Sequence, residues 1–196
     1  MKSIILLFVL AIAITKSNAA ATPDGAYKVR NILVVIDTDR LEADYKDAHR
    51  SLDPEKPTPL EHKYAFMITN NDNVVSGQAT ADLHIKGLVG DTVKWFGTSE
   101  TNNFDIQVIV YNIKHDKSDI LSEVRQEVYG KKYTYPKSKD MADIDHIYFK
   151  TFKLDASLKE VGSVDYHVCF AVYTTVNSNE RQLFGYFEWD PKITVG

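Results

Sequence analysis

Alternation of apolar and polar residues is the feature of this sequence that most limits its fold. The cleanest example is a stripe of apolar residues at every second position, Val164, Tyr166, Val168, Phe170 and Val172. Successive side chains of a β-strand point to opposite faces of a sheet, so this spacing predicts a strand with one face on a core. The same period recurs from Phe104 to Val110 and from Ile147 to Thr151. We therefore expect about eight short strands.

Three further segments give more specific expectations. The β-branched run in residues 31–37 predicts a strand buried on both sides. The run Asn70–Asn73 predicts the turn of a hairpin, because Asn and Asp tolerate left-handed backbone. Further on, the pattern predicts a strand whose wet face carries Gln78, Thr80 and Asp82, opposite Ala79, Ala81 and Leu83.

Helical signals are few. Residues 40–48 and 117–129 are the two candidates, the second because Ile120, Leu121, Val124 and Val128 have helical spacing. Strands without crossover helices favour antiparallel pairing. We expect an all-β protein, an antiparallel two-sheet β-sandwich of jelly-roll or immunoglobulin-like type with one or two short helices. An up-and-down barrel is the alternative, and the long connections 41–59 and 112–145 count against it.

The N-terminus predicts export. Lys2 precedes an apolar run from Ile4 to Ile14, and small residues follow at Ser17 and Ala19. This is the pattern of a secretory signal peptide, with residues 1–19 removed and a single domain over residues 20–196. The run is too short to span a membrane, although a retained anchor is the other interpretation. The predicted location is secreted or periplasmic.

Charge and cysteine content exclude several classes of function. The whole chain has a formal net charge of −4, and loss of Lys2 and Lys16 with the signal makes the mature chain more acidic. Nucleic-acid binding requires clustered basic residues. The lysines within residues 131–139 are followed by aspartates, and this mixture of charges indicates a solvated loop. The only cysteine, Cys169, lies in an apolar run and is expected to be a core residue.

Reactive clusters are missing from the sequence pattern. The six histidines show no HxH or HxxxH spacing, and CxxC, GxSxG and phosphate-loop motifs are absent. We therefore expect neither a metal site nor a cofactor, and no enzymatic activity.

Five residues are candidate contacts for a ligand or partner. Asp37 and Asp39 end the first strand, where they could form a turn, bind an ion or act in catalysis, and Asp39, just before Arg40, could cap a helix. A turn or a helix cap is the simplest interpretation. Tyr133, Tyr135 and Trp189 could stack on a sugar or a protein, or they could fill the space between sheets.

Fragments in order along the chain resemble the AidA/PixA inclusion body protein family. They are NILVVIDTD (31–39), the prolines and His62-Lys63 of residues 53–63, VSGQATADL (75–83), VGDTVKW (89–95), and WDP with ITV (189–195). The resemblance implies a small non-enzymatic β-sandwich protein of host-associated bacteria. Some members form intracellular crystalline inclusions, and others are tied to quorum sensing and host interaction. The signal peptide departs from the inclusion-forming members and puts intracellular inclusions in doubt.

Two functional hypotheses follow. The first is a secreted interaction or self-assembling protein that contacts itself, a host protein or a glycan. The second is a carbohydrate-binding module that works with or without a bound calcium ion. In this hypothesis tyrosines and Trp189 form a stacking platform, and Asp37, Asp39 or Asn70–Asn73 supply hydrogen-bonding or calcium-binding groups.

Overall fold

A computed structural model describes residues 26–117, 119–177 and 180–196. The predicted signal peptide lies outside the described residues. Within them the chain forms one α-helix, α1 (Thr38–Tyr45). In chain order the strands are β1 (Val29–Ile36), β2 (Thr58–Pro59), β3 (Ala65–Thr69), β4 (Val74–Ser76), β5 (His84–Gly87), β6 (Thr92–Ser99), β7 (Gln107–Lys114), β8 (Arg125–Pro136), β9 (Ile144–Ser157), β10 (Gly162–Asp165), β11 (His167–Asn177), β12 (Glu180–Trp189) and β13 (Lys192–Val195).

The strands form three mixed sheets. Their orders are β3-β1-β6-β9-β8, β10-β13-β5-β4 and β2-β12-β11-β7. The all-β class is confirmed, but the two-sheet arrangement is wrong. Uniform antiparallel pairing is also wrong, because β1 with β6, β2 with β12, and β5 with β13 are parallel. Parallel partners need long connections, and here intervening strands as well as α1 provide them.

One apolar cluster joins all three sheets. The indole of Trp95 on β6 packs edge-on against Tyr166, with ring centroids 5.7 Å apart, and donates a hydrogen bond to its hydroxyl. Phe187 on β12 stacks on Phe170 and also contacts Tyr45 of α1. The predicted apolar stripe lies in this core, although Val164 is on β10 and Val168, Phe170 and Val172 are on β11. Cys169 is buried as well, with its thiol beside the Glu188 carboxylate.

The first helix is confirmed, and it begins before the predicted residue. Asp37 is the N-cap, and its carboxylate accepts a hydrogen bond from the Arg40 amide at 3.0 Å. The second helix is wrong, because residues 125–136 form β8. Val, Thr and Tyr in this segment favour strands, and pairing with β9 outweighs the helical spacing.

Two other local predictions are wrong. Asn71–Asn73 form a 3-10 turn that carries the chain from β3 in one sheet to β4 in another, instead of closing a hairpin. Residues 77–83 form a loop between β4 and β5, although Ala81 and Leu83 are buried and Thr80 and Asp82 exposed as the alternation predicts.

β1 is buried on one side only. Ile32, Val34 and Ile36 are buried, whereas Leu33 on the other side of the strand is 39% exposed. The expectation of burial on both sides is therefore wrong. We call this uncovered side the open face.

Candidate interaction surface

A long hairpin projects from the edge of the five-stranded sheet. β8 and β9 pair from Arg125 opposite Asp155 to Pro136 opposite Ile144. β9 pairs with β6 only from Leu154 to Ser157, so the rest of the hairpin continues beyond the sheet. We call residues 128–152 the arm. No residue of the arm is buried.

Large apolar side chains gather on one side of the arm. Residues directly opposite in a sheet share a face, so the register places Tyr133 and Ile147 together, with Tyr129, Tyr135 and Phe149 on the same side. The rings of Tyr133 and Phe149 are 6.4 Å apart. This side of the arm continues the open face, since Asp155 on β9 lies opposite Lys94 on β6.

The open face is also apolar on the main body of the sheet. Leu33 lies between Ile68 on β3 and Phe96 on β6. Phe66 lies opposite Val35, one pair further along the same face. We call Leu33, Phe66, Ile68 and Phe96 the body patch. A groove of about 630 Å³ lies between the patch and the arm. Its lining includes Leu33 and Phe96 of the patch, Tyr129, Tyr133 and Phe149 of the arm, and residues 107–110 of β7.

Ion pairs hold the base of the arm. Asp155 accepts hydrogen bonds from Arg125 and, at 3.3 Å, from Lys153, whose ammonium also contacts Glu127. Burial of Asp155 alone raises the pKa of its carboxyl, but the Arg125 and Lys153 donors outweigh burial and leave the pKa below its usual value. The same contacts raise the pKa of Lys153 despite the opposing effect of burial. Both groups therefore remain charged near neutral pH.

The structure separates the five sequence candidates. Tyr133 and Tyr135 are exposed on the same side of the arm. Trp189 is 2% exposed and donates its indole N–H to the Ala81 carbonyl, so the stacking role proposed for it is wrong and its ring belongs to the core. Asp37 caps α1.

Asp39 lies beside a carboxylate that the sequence did not reveal. Glu100 accepts hydrogen bonds from the amides of Thr38 and Asp39 at the start of α1, and from the Thr38 hydroxyl. Burial of Glu100 raises its pKa, but these donors outweigh burial and lower the pKa below its usual value. The helix N-terminus thus already has an anionic partner from within the chain. Glu100 directly follows β6, and no sequence pattern at that position predicts this contact.

A second groove lies between β1 and the four-stranded sheet that contains β5. It has a volume of about 880 Å³, and its lining includes Lys86 and three amides, Asn31, Asn70 and Asn73. At its side the buried Arg30 donates to Asp91 at 2.9 Å and also contacts the Asn73 side-chain oxygen. Sequence reasoning identified Asn70–Asn73 as polar groups but missed Arg30, because Asp91 is distant in sequence.

Two observations concern metal binding and the reactivity of the cysteine thiol. Among the described residues, no group of three or more His, Cys, Asp or Glu side chains is placed to hold a metal ion. Burial raises the pKa of the Cys169 thiol to about 12, so the thiol stays protonated and is a poor nucleophile. In the described part of the chain, no helix is long and apolar enough to cross a membrane.

Comparison with known proteins decides the family. The sequence profile of PixA, described as inclusion body protein, matches residues 28–195. The chain belongs to the PixA inclusion body protein family. The resemblance seen in the sequence fragments is therefore confirmed.

One solved structure agrees with this family at the level of the fold. The crystal structure of the inclusion body protein (PixA) from Burkholderia cenocepacia J2315 aligns with a TM-score of 0.76 and 23% identity, covering 90% of this chain and all of that one. The solution structure of amebosin aligns at 11% identity with a TM-score of 0.20, covering 64% of this chain and 93% of that one. No curated protein sequence matches the chain significantly.

Proposed function

We propose that this chain is a non-enzymatic, self-associating member of the inclusion body protein family that uses the open face as its contact surface. One observation carries the proposal. Seven large apolar side chains of the open face are between 39% and 55% exposed, namely Leu33, Phe66, Ile68, Tyr133, Tyr135, Ile147 and Phe149.

A solvated sheet face normally carries polar residues. Monomeric proteins rarely expose a large contiguous apolar area, and such areas mark contact sites. Placing this face against another protein surface removes it from water, which favours association by about 25 cal/mol per Å² of apolar surface. The family's description as inclusion body proteins is consistent with self-association.

Sedimentation velocity of the mature chain, residues 20–196, tests this function. The weight-average sedimentation coefficient is expected to rise with protein concentration, and to do so at high salt as well, since apolar contacts are little screened. A constant monomer value over the whole concentration range contradicts the proposal.

Export is a further part of the proposal. The apolar leader predicted for residues 1–19 supports action outside the cytoplasm, and this location would allow contact with a host. Fusion of residues 1–25 to a reporter enzyme that is active only after export tests it. Reporter activity is expected with the native leader and not after Leu7→Arg within the apolar run, whereas activity confined to the cytoplasm contradicts export.

Carbohydrate binding is the second candidate function. The observation that favours it is the groove lined by Asn31, Asn70 and Asn73, because amide side chains both donate to and accept from hydroxyl groups. A glycan array with and without calcium tests it, with Asn70→Ala as the groove variant. A sugar signal that is lost in the variant supports this function, and an array without signal under both conditions removes it.

A further inference from the structure

We infer that the arm of one copy packs on the body patch of a second copy, and that the second arm returns the contact about a two-fold axis. This inference rests on the proposed self-association and identifies the two surfaces that meet. Such a dimer is isologous, since each copy contributes the same pair of surfaces.

The arm does not cover the body patch of its own chain, since Leu33, Phe66 and Ile68 remain 39–43% exposed. Pairing through Leu154–Ser157 makes β9 a neighbour of β6 in one sheet. The ion pairs of Asp155 with Arg125 and Lys153 hold the arm in that direction. The arm therefore continues its own sheet beyond the pairing with β6 and leaves its own body patch exposed.

The arm is long enough to reach across the body patch of a second copy. The part of β9 outside the β6 pairing, residues 144–153, is roughly 30 Å long at about 3.3 Å per residue. The body patch lies at positions 33–35 of β1, roughly 7 Å of strand by the same rise. The arm is thus longer than the patch that it has to cover.

The exposed apolar area is also sufficient. Large apolar side chains have surfaces of roughly 150–250 Å², so the seven exposed residues leave about 600 Å² in contact with water on each copy. Specific interfaces bury about 800 Å² per partner, of which somewhat more than half is apolar. Polar neighbours such as Lys131 and Thr151 supply the remainder.

Charge favours contact of an arm with a body over contact between two arms. The arm contains five lysines and three aspartates, whereas the rest of residues 20–196 contains 16 basic and 24 acidic residues. A positive arm is attracted to a negative body and repelled by another arm. Edge-to-edge pairing of two β8 strands is disfavoured as well, because Lys131, Lys132 and Pro136 protect that edge.

Complementation between two variants tests the inference. Tyr133→Glu places a charge on the arm, and Leu33→Lys places the opposite charge on the body patch. Each variant alone is expected to weaken self-association at least about tenfold in sedimentation velocity, because both contacts of its dimer are damaged. An equimolar mixture is expected to recover association, since the intact arm of one variant meets the intact patch of the other and the two new charges attract.

Matched controls use exposed residues outside the open face. Tyr148→Glu changes a tyrosine that is 67% exposed on the opposite side of the same arm. Leu52→Lys changes an exposed leucine in the loop before β2. Both are expected to associate like the wild type, and circular dichroism and thermal unfolding check that every variant is folded.

The outcomes separate the inference from the function on which it rests. If Leu33→Lys associates normally while Tyr133→Glu does not, the arm meets another surface, which overturns the inference and leaves self-association intact. The inference is also overturned if both single variants are folded and their equimolar mixture does not recover association. A wild-type chain that remains monomeric overturns both the inference and the proposed function.

Discussion

At the scale of single residues, His62 joins carboxylates from two distant parts of the chain. Its Nε2 lies 2.9 Å from Asp190, and its Nδ1 contacts Asp82. The hydrogen bond with Asp82 raises the pKa of His62, against the opposing effect of burial, and Asp190 raises it further. The sequence alternation predicted that Asp82 is exposed to solvent. It could not predict that His62, twenty residues earlier in the chain, contacts the Asp82 carboxylate.

His62→Gln is expected to destabilise the protein in a pH-dependent way. A pKa raised on folding stabilises the native state fully below the unfolded value of about 6.5 and loses that effect as the pH rises through the folded value. The groups are partly exposed, so the loss is about 0.5–1 kcal/mol below about pH 6 and becomes smaller as the pH rises through the folded pKa. Urea unfolding over a series of pH values measures it, with the exposed His49→Gln as control; a loss that does not change with pH contradicts the account.

Gly77 offers a second test at this scale. It has φ of 71°, and a Cβ there lies 2.1 Å from the Asp82 carbonyl oxygen. Gly77→Ala is therefore expected to cost about 1–3 kcal/mol in the free energy of unfolding. Gly130→Ala is the control, because its Cβ has nothing within 4 Å, and in a strand alanine is expected to stabilise by about 0.5–1 kcal/mol. Equal effects of the two substitutions in denaturant unfolding contradict the backbone described for residues 77–83.

At the scale of elements, the segment that leads into the arm, residues 117–129, was wrongly predicted to be a helix. Ile120, Leu121, Val124 and Val128 have helical spacing, but Leu121 pairs with Leu158 and Val128 with Phe152. Such long-range pairing leaves no local signal. By contrast a helix was predicted at residues 40–48, with Asp39 as its possible cap. The structure confirms the helix but makes Asp37 the cap, since its carboxylate accepts from the Arg40 amide.

Asp155→Ala tests how the arm is attached. Asp155 is buried and pairs with Lys153 and Arg125. Removing its carboxylate leaves Lys153 with Glu127 alone, so a loss of about 1–3 kcal/mol in unfolding free energy is expected. Trypsin cleavage after Lys131 and Lys132 is expected to become faster as the base of the arm loosens. Asp145→Ala, far along the arm, is the control; unchanged cleavage in Asp155→Ala contradicts the role of these ion pairs.

At the scale of the whole molecule, the chain is an all-β member of the inclusion body protein family. Alternating patterns such as that of β11 predicted the class, because they report which side chains are buried. They could not predict three mixed sheets, since the pairing of β1 with β6 joins residues some sixty positions apart. Nor could the run that contains Leu33 show that one face stays open, because burial of a sheet face depends on what packs over it.

The central claim is that copies of this chain meet through the open face. Hydroxyl-radical footprinting with mass spectrometry measures side-chain exposure at low and high protein concentration. Oxidation of Leu33, Ile68, Tyr133 and Ile147 is predicted to fall as concentration rises, while that of Tyr148 and Leu52 stays constant. Protection that appears at Tyr148 and Leu52 instead, or oxidation that does not depend on concentration, would contradict the account.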